Sequence, residues 1–384
     1  MKCIYLDHSA TTAVEPEVVT AMSPYFHVHF GNPSSLYSIA EVSRNAMEES
    51  RSTIASFIGA NANEIFFTSG GTESDNQAIL TTARKQKNKG QHVITSSIEH
   101  HAVLHAFQQL EKEGFQVTYL PVDSYGIVHP ETLQKAMTPA TTLVSIMHAN
   151  NEVGTIQDIP ALTKIAHAHG ALFHTDAVQA IGKLPVDVQT LDVDLLSSSA
   201  HKLYGPKGVG FLYAKKGTPF STFLYGGGQE KKKRPGTENV PGIVGFAKAI
   251  EIAKKRFEED HQHLQNLATF LTEGIQSSVS DVVFTGHPIL RTPGHVSVCF
   301  KYIEGESILM MLDSFGICVS SGSACTSGSL DASHVLLAMG LDSATAQGSI
   351  RFSMGRMNTM EDMKAVIEVL PGIVEKLRKM SPLC

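Results

Sequence analysis

The sequence is poor in cysteine and lacks any long uninterrupted apolar segment. Its five cysteines, at positions 3, 299, 318, 325 and 384, are an odd number and form no Cys-x-x-Cys pair. That pattern excludes a disulfide framework and a zinc knuckle, and it is typical of a reducing compartment. The N-terminus has no secretory h-region, and no run of about 20 apolar residues could span a membrane. We therefore expect a cytoplasmic protein with no membrane partner.

Positive charge is scarce as well. Lys and Arg number 31 against 37 Asp and Glu, which gives a formal net charge of −6. Because non-specific nucleic-acid binding depends on basic surface, we expect no nucleic-acid partner. The dense basic cluster at residues 231–234 is interpreted as a solvated loop. With 42% hydrophobic and 18% charged residues, the composition is ordinary for a soluble enzyme of two or three domains.

Strand and helix patterns alternate through the first two thirds of the chain. Such alternation is typical of a mostly parallel sheet covered on both faces, with ligands bound beyond the strand ends. A helical pattern over 243–261 follows, and from about residue 281 the pattern changes to that of a smaller α+β unit. We therefore predict a large domain at 13–255 and a small domain formed by 1–12 and 256–384.

One lysine stands where a buried strand pattern ends. The apolar residues Val193, Leu195 and Leu196 lead into Ser-Ser-Ser-Ala-His-Lys202, and Gly205 and Pro206 then break any regular element. A lysine amine can form a Schiff base with an aldehyde, as pyridoxal phosphate requires. This segment alone leaves open the alternative of a solvated loop lysine.

A second segment has the features of an anion site. Residues 65–67 predict a buried strand, residues 69–71 a glycine turn, and Thr72 the start of a helix. Backbone N–H groups and the positive end of the helix dipole would face a bound anion there. A tight turn without a ligand is the alternative.

Further polar side chains follow other strand patterns. Asp176 would be costly at the end of a buried strand unless it is paired, and a protonated pyridine nitrogen is such a partner. His100 could stack on a cofactor ring and move protons, although a structural histidine remains an alternative. His101 and His105 would share a helix face, but they lack a third ligand nearby in sequence. We expect no metal site.

These segments together resemble a known family. The matching motifs are Leu6-Asp-His-Ser-Ala-Thr-Thr, Phe30-Gly-Asn-Pro-Ser-Ser, Gly71-Thr-Glu-Ser, Glu99-His, Asn150-Asn-Glu, Asp176-x-x-Gln, Ser199-x-His-Lys, Gly226-Gly-Gly-Gln-Glu and Ser320-Ser-Gly-Ser-Ala-Cys-Thr-Ser. They are similar to those of the cysteine desulfurases of the NifS/IscS type, which are fold-type I enzymes dependent on pyridoxal 5'-phosphate. The resemblance covers nearly the whole chain. It implies an α/β fold whose large domain has a mostly parallel, seven-stranded sheet.

The resemblance also implies roles for individual residues. Lys202 would carry the cofactor covalently, Asp176 and Gln179 would contact its pyridine nitrogen and phenolic oxygen, and His100 would stack on its ring and act as acid or base. Thr237 would reach the phosphate from the neighbouring subunit of a homodimer. The full expected cofactor set is Gly71, Thr72, His100, Asn151, Asp176, Gln179, Ser199, His201, Lys202 and Thr237, and Asn151 and Arg351 would bind the carboxylate of the substrate, L-cysteine.

Cys325 lies in a run of small polar residues, 320–330, that predicts an exposed and mobile loop. A thiol on such a loop suits a sulfur carrier that visits a site and leaves it. By resemblance, Cys325 is the catalytic nucleophile that becomes a persulfide and serves an acceptor or iron–sulfur scaffold protein. Cys299 and Cys318 lie in strand patterns and are expected to be inert. A selenocysteine lyase or an aminotransferase of the same fold is the alternative function.

Overall fold

The computed structural model describes residues 3–321 and 332–381. Its strands are β1 (Ile4–Tyr5), β2 (Ile65–Thr68), β3 (His92–Ser96), β4 (Gln116–Leu120), β5 (Thr141–Ser145), β6 (Leu172–Asp176), β7 (Leu195–Ser199), β8 (Gly210–Ala214), β9 (Val282–Thr285), β10 (His295–Phe300), β11 (Ile317–Cys318) and β12 (Ser349–Ser353).

Helices connect and cover these strands. They are α1 (Pro16–Met22), α2 (Pro24–His27), α3 (Ser38–Phe57), α4 (Gly71–Gln86), α5 (His101–Lys112), α6 (Pro130–Ala136), α7 (Ile159–Ala168), α8 (Val188–Leu191), α9 (Gln229–Lys232), α10 (Val240–Ser278), α11 (Gly305–Ser314), α12 (His334–Ala338), α13 (Ser343–Gln347) and α14 (Met360–Met380), with short 3-10 turns at Ala62–Glu64 and Ala200–Lys202.

The central sheet has seven strands in the order β2-β8-β7-β6-β5-β3-β4. The five strands from β7 to β4 are parallel, whereas β8 runs antiparallel to both of its neighbours. Strands β3, β5 and β7 are buried along their whole length, as expected for a sheet that is covered on both faces. The predicted α/β fold with a mostly parallel sheet is confirmed.

A second unit is built around the antiparallel sheet β12-β10-β9 and the parallel pair β1-β11. Strand β1 thus joins the start of the chain to its last third. Ile4 and Leu6 share a hydrophobic core with residues of β10, α11, β12 and α14. This core is separate from the one beneath the central sheet.

Helix α10 is longer than the sequence pattern predicts. The pattern indicates 243–261, but the helix has 39 residues and continues to Ser278. Its apolar side chains up to Ala253 pack in the core of the large sheet, and those from Leu264 onward pack in the second core. A second apolar stripe therefore prolongs the helix. The predicted domain boundary at 255 falls inside this continuous helix. The boundary therefore stays a prediction.

Within residues 3–321 and 332–381, no helix is both long and apolar enough to cross a lipid bilayer.

Candidate active site

A cavity of about 400 Å³ lies at the carboxyl ends of β6 and β7, against the second unit. Ten of the residues predicted for the site line it, and they come from six separate stretches of chain. These are Gly71, Thr72, His100, Asn151, Asp176, Gln179, Ser199, His201, Lys202 and Arg351. Its wall also contains Asp7, Ser9, Ala10, Asp75, Met147, Val178 and Ser320.

Lys202 enters the cavity from the 3-10 turn that follows β7. Its Nζ donates hydrogen bonds to the carbonyl oxygens of Ser9, at 2.6 Å, and Ala10, at 2.7 Å. The loop after β1 therefore orients the amine at the end of a rigid strand. An amine held this way is available to an electrophile that enters the cavity.

The predicted anion site has the expected strand–turn–helix geometry. Strand β2 ends at Thr68, Gly70 has a φ of +154°, and the 16-residue helix α4 begins at Gly71. A Cβ added to Gly71 would lie 2.7 Å from a methyl group of Val178, so only glycine fits without displacement. The first N–H groups of α4 face the cavity beside Ser199, and they can bind an anion such as a phosphate.

Two buried carboxyl groups lie deeper in the cavity. Asp176, only 6% exposed, accepts a hydrogen bond from the Val178 N–H at 2.9 Å. Burial raises the pKa of Asp176 to about 6, although Lys202 opposes that shift. Burial and the neighbouring Asp176 charge raise the pKa of Asp75, whose Oδ1 has no hydrogen-bond partner. A cationic ring nitrogen would stabilise this pair with Asp176 ionised.

The carboxamide of Gln179 is fixed at both ends. Its Nε2 donates to the Ser9 carbonyl at 2.9 Å, and its Oε1 accepts from Lys183 Nζ at 2.8 Å. Because the Ser9 carbonyl can only accept and a protonated lysine can only donate, these two partners determine which end of the amide carries the N–H groups. Gln179 therefore presents a donor on the side of Ser9 and Lys202.

His100 caps the N-terminus of α5, where its Nδ1 accepts a hydrogen bond from the Ala102 N–H at 3.2 Å. Burial, followed by the charges of Lys202 and His101, lowers the pKa of His100 to about 4. The ring is therefore neutral near pH 7, and its proton is assigned to Nε2 because Nδ1 is an acceptor.

Arg351, on β12, has a buried guanidinium with one group unsatisfied. Its Nη1 donates to the Asn151 carbonyl at 2.8 Å, and its Nη2 donates to Asp7 Oδ1 at 2.7 Å. The side chain is 5% exposed, and Nε is buried without a partner. Because Arg351 lines the cavity, a carboxylate that entered it would meet a guanidinium that two partners already orient.

Two predicted residues are not among those that line the cavity. Thr237 lies exposed in the loop before α10, on the same chain but away from the cavity wall. That loop is anchored beside the anion site by Arg234, whose Nε lies 2.8 Å from Glu73 Oε1 on α4. Cys325 lies outside the described residues. The described chain approaching it passes through Ser320, which is hydrogen-bonded to the Arg351 backbone.

Sequence reasoning missed several residues of the site. Asp7 and Ser9 lie in the motif that begins at Leu6, which by itself indicates no role for them, and Asp75 lies on the inner face of α4 one turn after Thr72. Only the tertiary fold shows that they belong to the site, because Asp7 contacts Arg351 and Ser9 contacts Lys202. A visible signal for Lys183 was its spacing of four residues from Gln179.

Among the other cysteines, Cys299 is buried, and burial raises the pKa of its thiol to about 12. Cys318 is half-buried with Sγ 3.7 Å from Cys3 Sγ, and burial raises its pKa to about 11. Both values disfavour the reactive thiolate. His101 contacts His105 and His334, with ring centroids 5.1 and 5.0 Å apart. No group of metal-ligating side chains occurs in the part of the chain that the structure describes.

Fold and cavity together define an α/β enzyme with a lysine and an anion site at the strand ends. The chain belongs to the class-V aminotransferase family, whose model matches residues 4–366. It is 54% identical over 382 residues to the cysteine desulfurase IscS of Methanosarcina thermophila, covering 100% of this chain and 94% of that protein.

Solved structures agree with that relationship. A NifS-like protein has a TM-score of 0.92 at 40% identity, covering 98% of this chain and 100% of that one. SspA in complex with cysteine has a TM-score of 0.81 at 36% identity, covering 93% and 100%. The resemblance inferred from the motifs is confirmed.

The cofactor of this family is pyridoxal 5'-phosphate, and the residues present fit it. The α4 turn can take its phosphate, and Lys202 its aldehyde carbon. The buried Asp75–Asp176 pair, with an unsatisfied oxygen, suits its ring nitrogen. The N–H groups of α4, the Lys202 amine and the buried carboxyl pair thus match the charges of this cofactor.

Proposed function

We propose that this chain, a pyridoxal-phosphate-dependent cysteine desulfurase, works through Lys202, His100 and Cys325 and delivers sulfur as a persulfide. The observation that carries the proposal is the convergence of an oriented lysine, a buried aspartate and an unsatisfied buried arginine on one cavity. L-cysteine supplies the amine, carboxylate and thiol that such a site needs.

The cofactor would be held by Lys202 through its aldehyde and by Gly71, Thr72, Ser199 and His201 through its phosphate. Asp176 and Gln179 would contact the ring, on which His100 would stack, with Asn151 close by. When bound, the cofactor supplies an electron sink that weakens the Cα–H bond of an attached amino acid. The anionic form of Asp176 strengthens that sink by keeping the ring nitrogen protonated.

Arg351 and Asn151 orient the substrate. The guanidinium fork already holds Asp7 and the Asn151 carbonyl, so it is fixed before a ligand arrives. A substrate carboxylate would accept hydrogen bonds from this guanidinium, whose charge is shared with Asp7. Lys202 lines the same cavity, and its amine would accept the Cα proton of the bound amino acid.

His100 moves the remaining proton. With Nδ1 occupied by the Ala102 N–H, its Nε2 is the nitrogen available to the cavity. The low pKa of about 4 keeps the ring neutral at physiological pH, so Nε2–H can donate a hydrogen bond to a sulfur in the cavity. To move a proton, the ring would first take one up from a thiol as a base and then release it from the imidazolium. We expect His100 to accept the thiol protons of the substrate and of the acceptor cysteine.

Sulfur transfer would end on Cys325. The Cys325 thiolate attacks the substrate sulfur, so that a new S–S bond forms while the Cβ–S bond breaks. The electron pair of the broken bond remains on carbon, which takes up a proton, giving L-alanine and a Cys325 persulfide. Since Cys325 is five residues beyond Ser320 in the cavity wall, the chain can separate these residues by at most about 18 Å.

We further propose a cytoplasmic homodimer that supplies a sulfur acceptor or an iron–sulfur scaffold protein. Support for shared sites is that the Thr237 loop is anchored to α4 yet presents Thr237 away from the chain's own cavity. Support for a reducing compartment is that Cys3, Cys299 and Cys318 are free thiols.

The test is turnover of L-cysteine by the purified enzyme, followed by chromatography of amino acids and by sulfide release in the presence of a reductant. We expect L-alanine and sulfide in equal amounts. Preferred turnover of L-selenocysteine, or transfer of the amine to a keto acid, would replace the desulfurase by a lyase or an aminotransferase.

A further inference from the structure

We propose that Lys183 is a positioning residue that fixes the Gln179 amide and adds a positive charge behind Lys202. The proposal rests on the proposed function, because it concerns how Lys202 is tuned to hold the cofactor. Gln179 and Lys202 line the cavity of the candidate site, and Lys183 acts on them from outside its wall.

The first observation is a continuous chain of hydrogen bonds. Lys183 Nζ donates to Gln179 Oε1 at 2.8 Å, and Gln179 Nε2 donates to the Ser9 carbonyl at 2.9 Å. The same Ser9 carbonyl accepts from Lys202 Nζ at 2.6 Å. An amide rotated by half a turn would place its oxygen against Ser9 and its NH₂ against Lys183. Both contacts would then be repulsive while Lys183 is protonated, so the charged form of Lys183 selects one orientation.

The second observation is the position of Lys183 on the far side of Lys202. A small cavity of about 40 Å³ separates the two units there, and both lysines contribute to its wall. Burial, then the charges of Lys202 and Arg351, lowers the pKa of Lys183 to about 7, so its positive charge is present below that pH and is lost above it. The ionisable and charged groups around it are His8, His201, Lys202, Tyr204, Asp260, His261, His295, Arg351 and Arg356.

The charge of Lys183 and the orientation of the Gln179 amide both lower the pKa of the nitrogen on Lys202. A positive neighbour disfavours the protonated form of the nitrogen on Lys202. A Gln179 amide that presents N–H rather than C=O to that side withholds an acceptor that would favour the protonated form. Loss of Lys183 therefore raises the pKa of the nitrogen through which Lys202 holds the cofactor.

The experiment is a pH titration of the visible absorbance of the holoenzyme, which reports that pKa without any turnover. We expect Lys183→Met, which keeps chain length but removes charge and donor, to raise it by about one unit. Lys183→Arg, which keeps the donor and stays charged at every pH of the titration, should not raise it. Lys183→Gln, which keeps a donor but no charge, should give a smaller rise and serves if the Met variant does not fold.

Lys164→Met on the exposed face of α7 is the matched control and should leave the pKa unchanged. An unchanged pKa in both neutral variants of Lys183 would overturn the inference, as would an equal rise in Lys183→Arg, which would indicate packing rather than charge and orientation. A wild-type protein that took up no cofactor would instead overturn the proposed function on which the inference rests.

Discussion

Replacement of Arg351 tests the substrate site most directly. Its guanidinium donates to Asn151 and Asp7, while Nε lies buried with no acceptor. We expect Arg351→Lys to weaken L-cysteine binding, although the charge is retained, because one ammonium group cannot hold both partners and a carboxylate in the same plane.

The magnitude follows from the contact that is lost. A hydrogen bond to a charged group contributes about 1.5–3 kcal/mol, and each 1.4 kcal/mol corresponds to about tenfold in an equilibrium constant. Arg351→Lys should therefore lower kcat/KM for L-cysteine by roughly 10- to 150-fold. The visible spectrum of the holoenzyme should be unchanged, because Arg351 lies on the substrate side of the cavity.

The assay compares L-cysteine with its methyl ester, which lacks the carboxylate charge. The wild type should prefer L-cysteine by the same roughly 10- to 150-fold, and Arg351→Lys should lose most of that preference. Such a cycle isolates the arginine–carboxylate coupling from general damage to the enzyme. Arg84→Lys is the control, since Arg84 pairs with the carboxylate of Glu113 at 2.6 Å on the surface.

The reasoning would be refuted if Arg351→Lys kept the full preference for L-cysteine over the ester. In that case another group binds the carboxylate, and Arg351 serves only to join β12 to Asp7. A loss of preference in Arg84→Lys would show that the assay reports protein stability rather than substrate recognition.

Four further outcomes are expected. Lys202→Ala should purify without covalently held cofactor, and borohydride reduction with peptide mapping of the wild type should label Lys202; a label on any other lysine contradicts this. Cys325→Ser should bind the cofactor normally but give no stoichiometric alanine in a single turnover, whereas a wild-type yield would favour elimination by a lyase. Thr237→Ala should weaken cofactor retention, and mixed dimers with Lys202→Ala subunits should be more active than the average of the parents, because both defects fall in one site; an averaged activity would argue against shared sites. Glu230→Gln should lower the free energy of unfolding by about 1.5–3 kcal/mol in denaturant titration, because the buried Arg51 loses the charge of Glu230, 2.7 Å away, and keeps only that of the exposed Glu48; a loss below about 0.5 kcal/mol by the same measurement would contradict it.

The central sheet and the cofactor were predictable from the sequence because their signals are local. Short apolar stretches followed by glycine turns mark the strand ends, as with Ile65 to Phe67 before Gly70 and with Val193, Leu195 and Leu196 before Gly205. In a parallel sheet the carboxyl ends of the strands meet at one edge. The motifs at Thr72, Asp176 and Lys202 could thus be placed at one edge, and the family resemblance assigned them to one cofactor.

Other parts of the molecule depend on contacts between distant residues. The length of α10 is set by packing on two cores, and the second of these includes Ile4 and Leu6 from the start of the chain. No pattern within the sequence of α10 indicates that the helix continues because it packs on this second core. Strand β1 likewise pairs with β11 more than 300 positions away, Ile4 facing Ile317.

By itself, the sequence determined the fold class, and the family resemblance of its motifs implied the cofactor and most side chains of the site, because each motif is a short segment with its own chemistry. Only the tertiary structure decided which groups act through others: Asp7 on Arg351, Ser9 on Lys202, and Lys183 on Gln179. The physical reason is that hydrogen-bond geometry and burial arise when separate segments pack together. A residue's partner, and hence its pKa and its orientation, is a property of that packing.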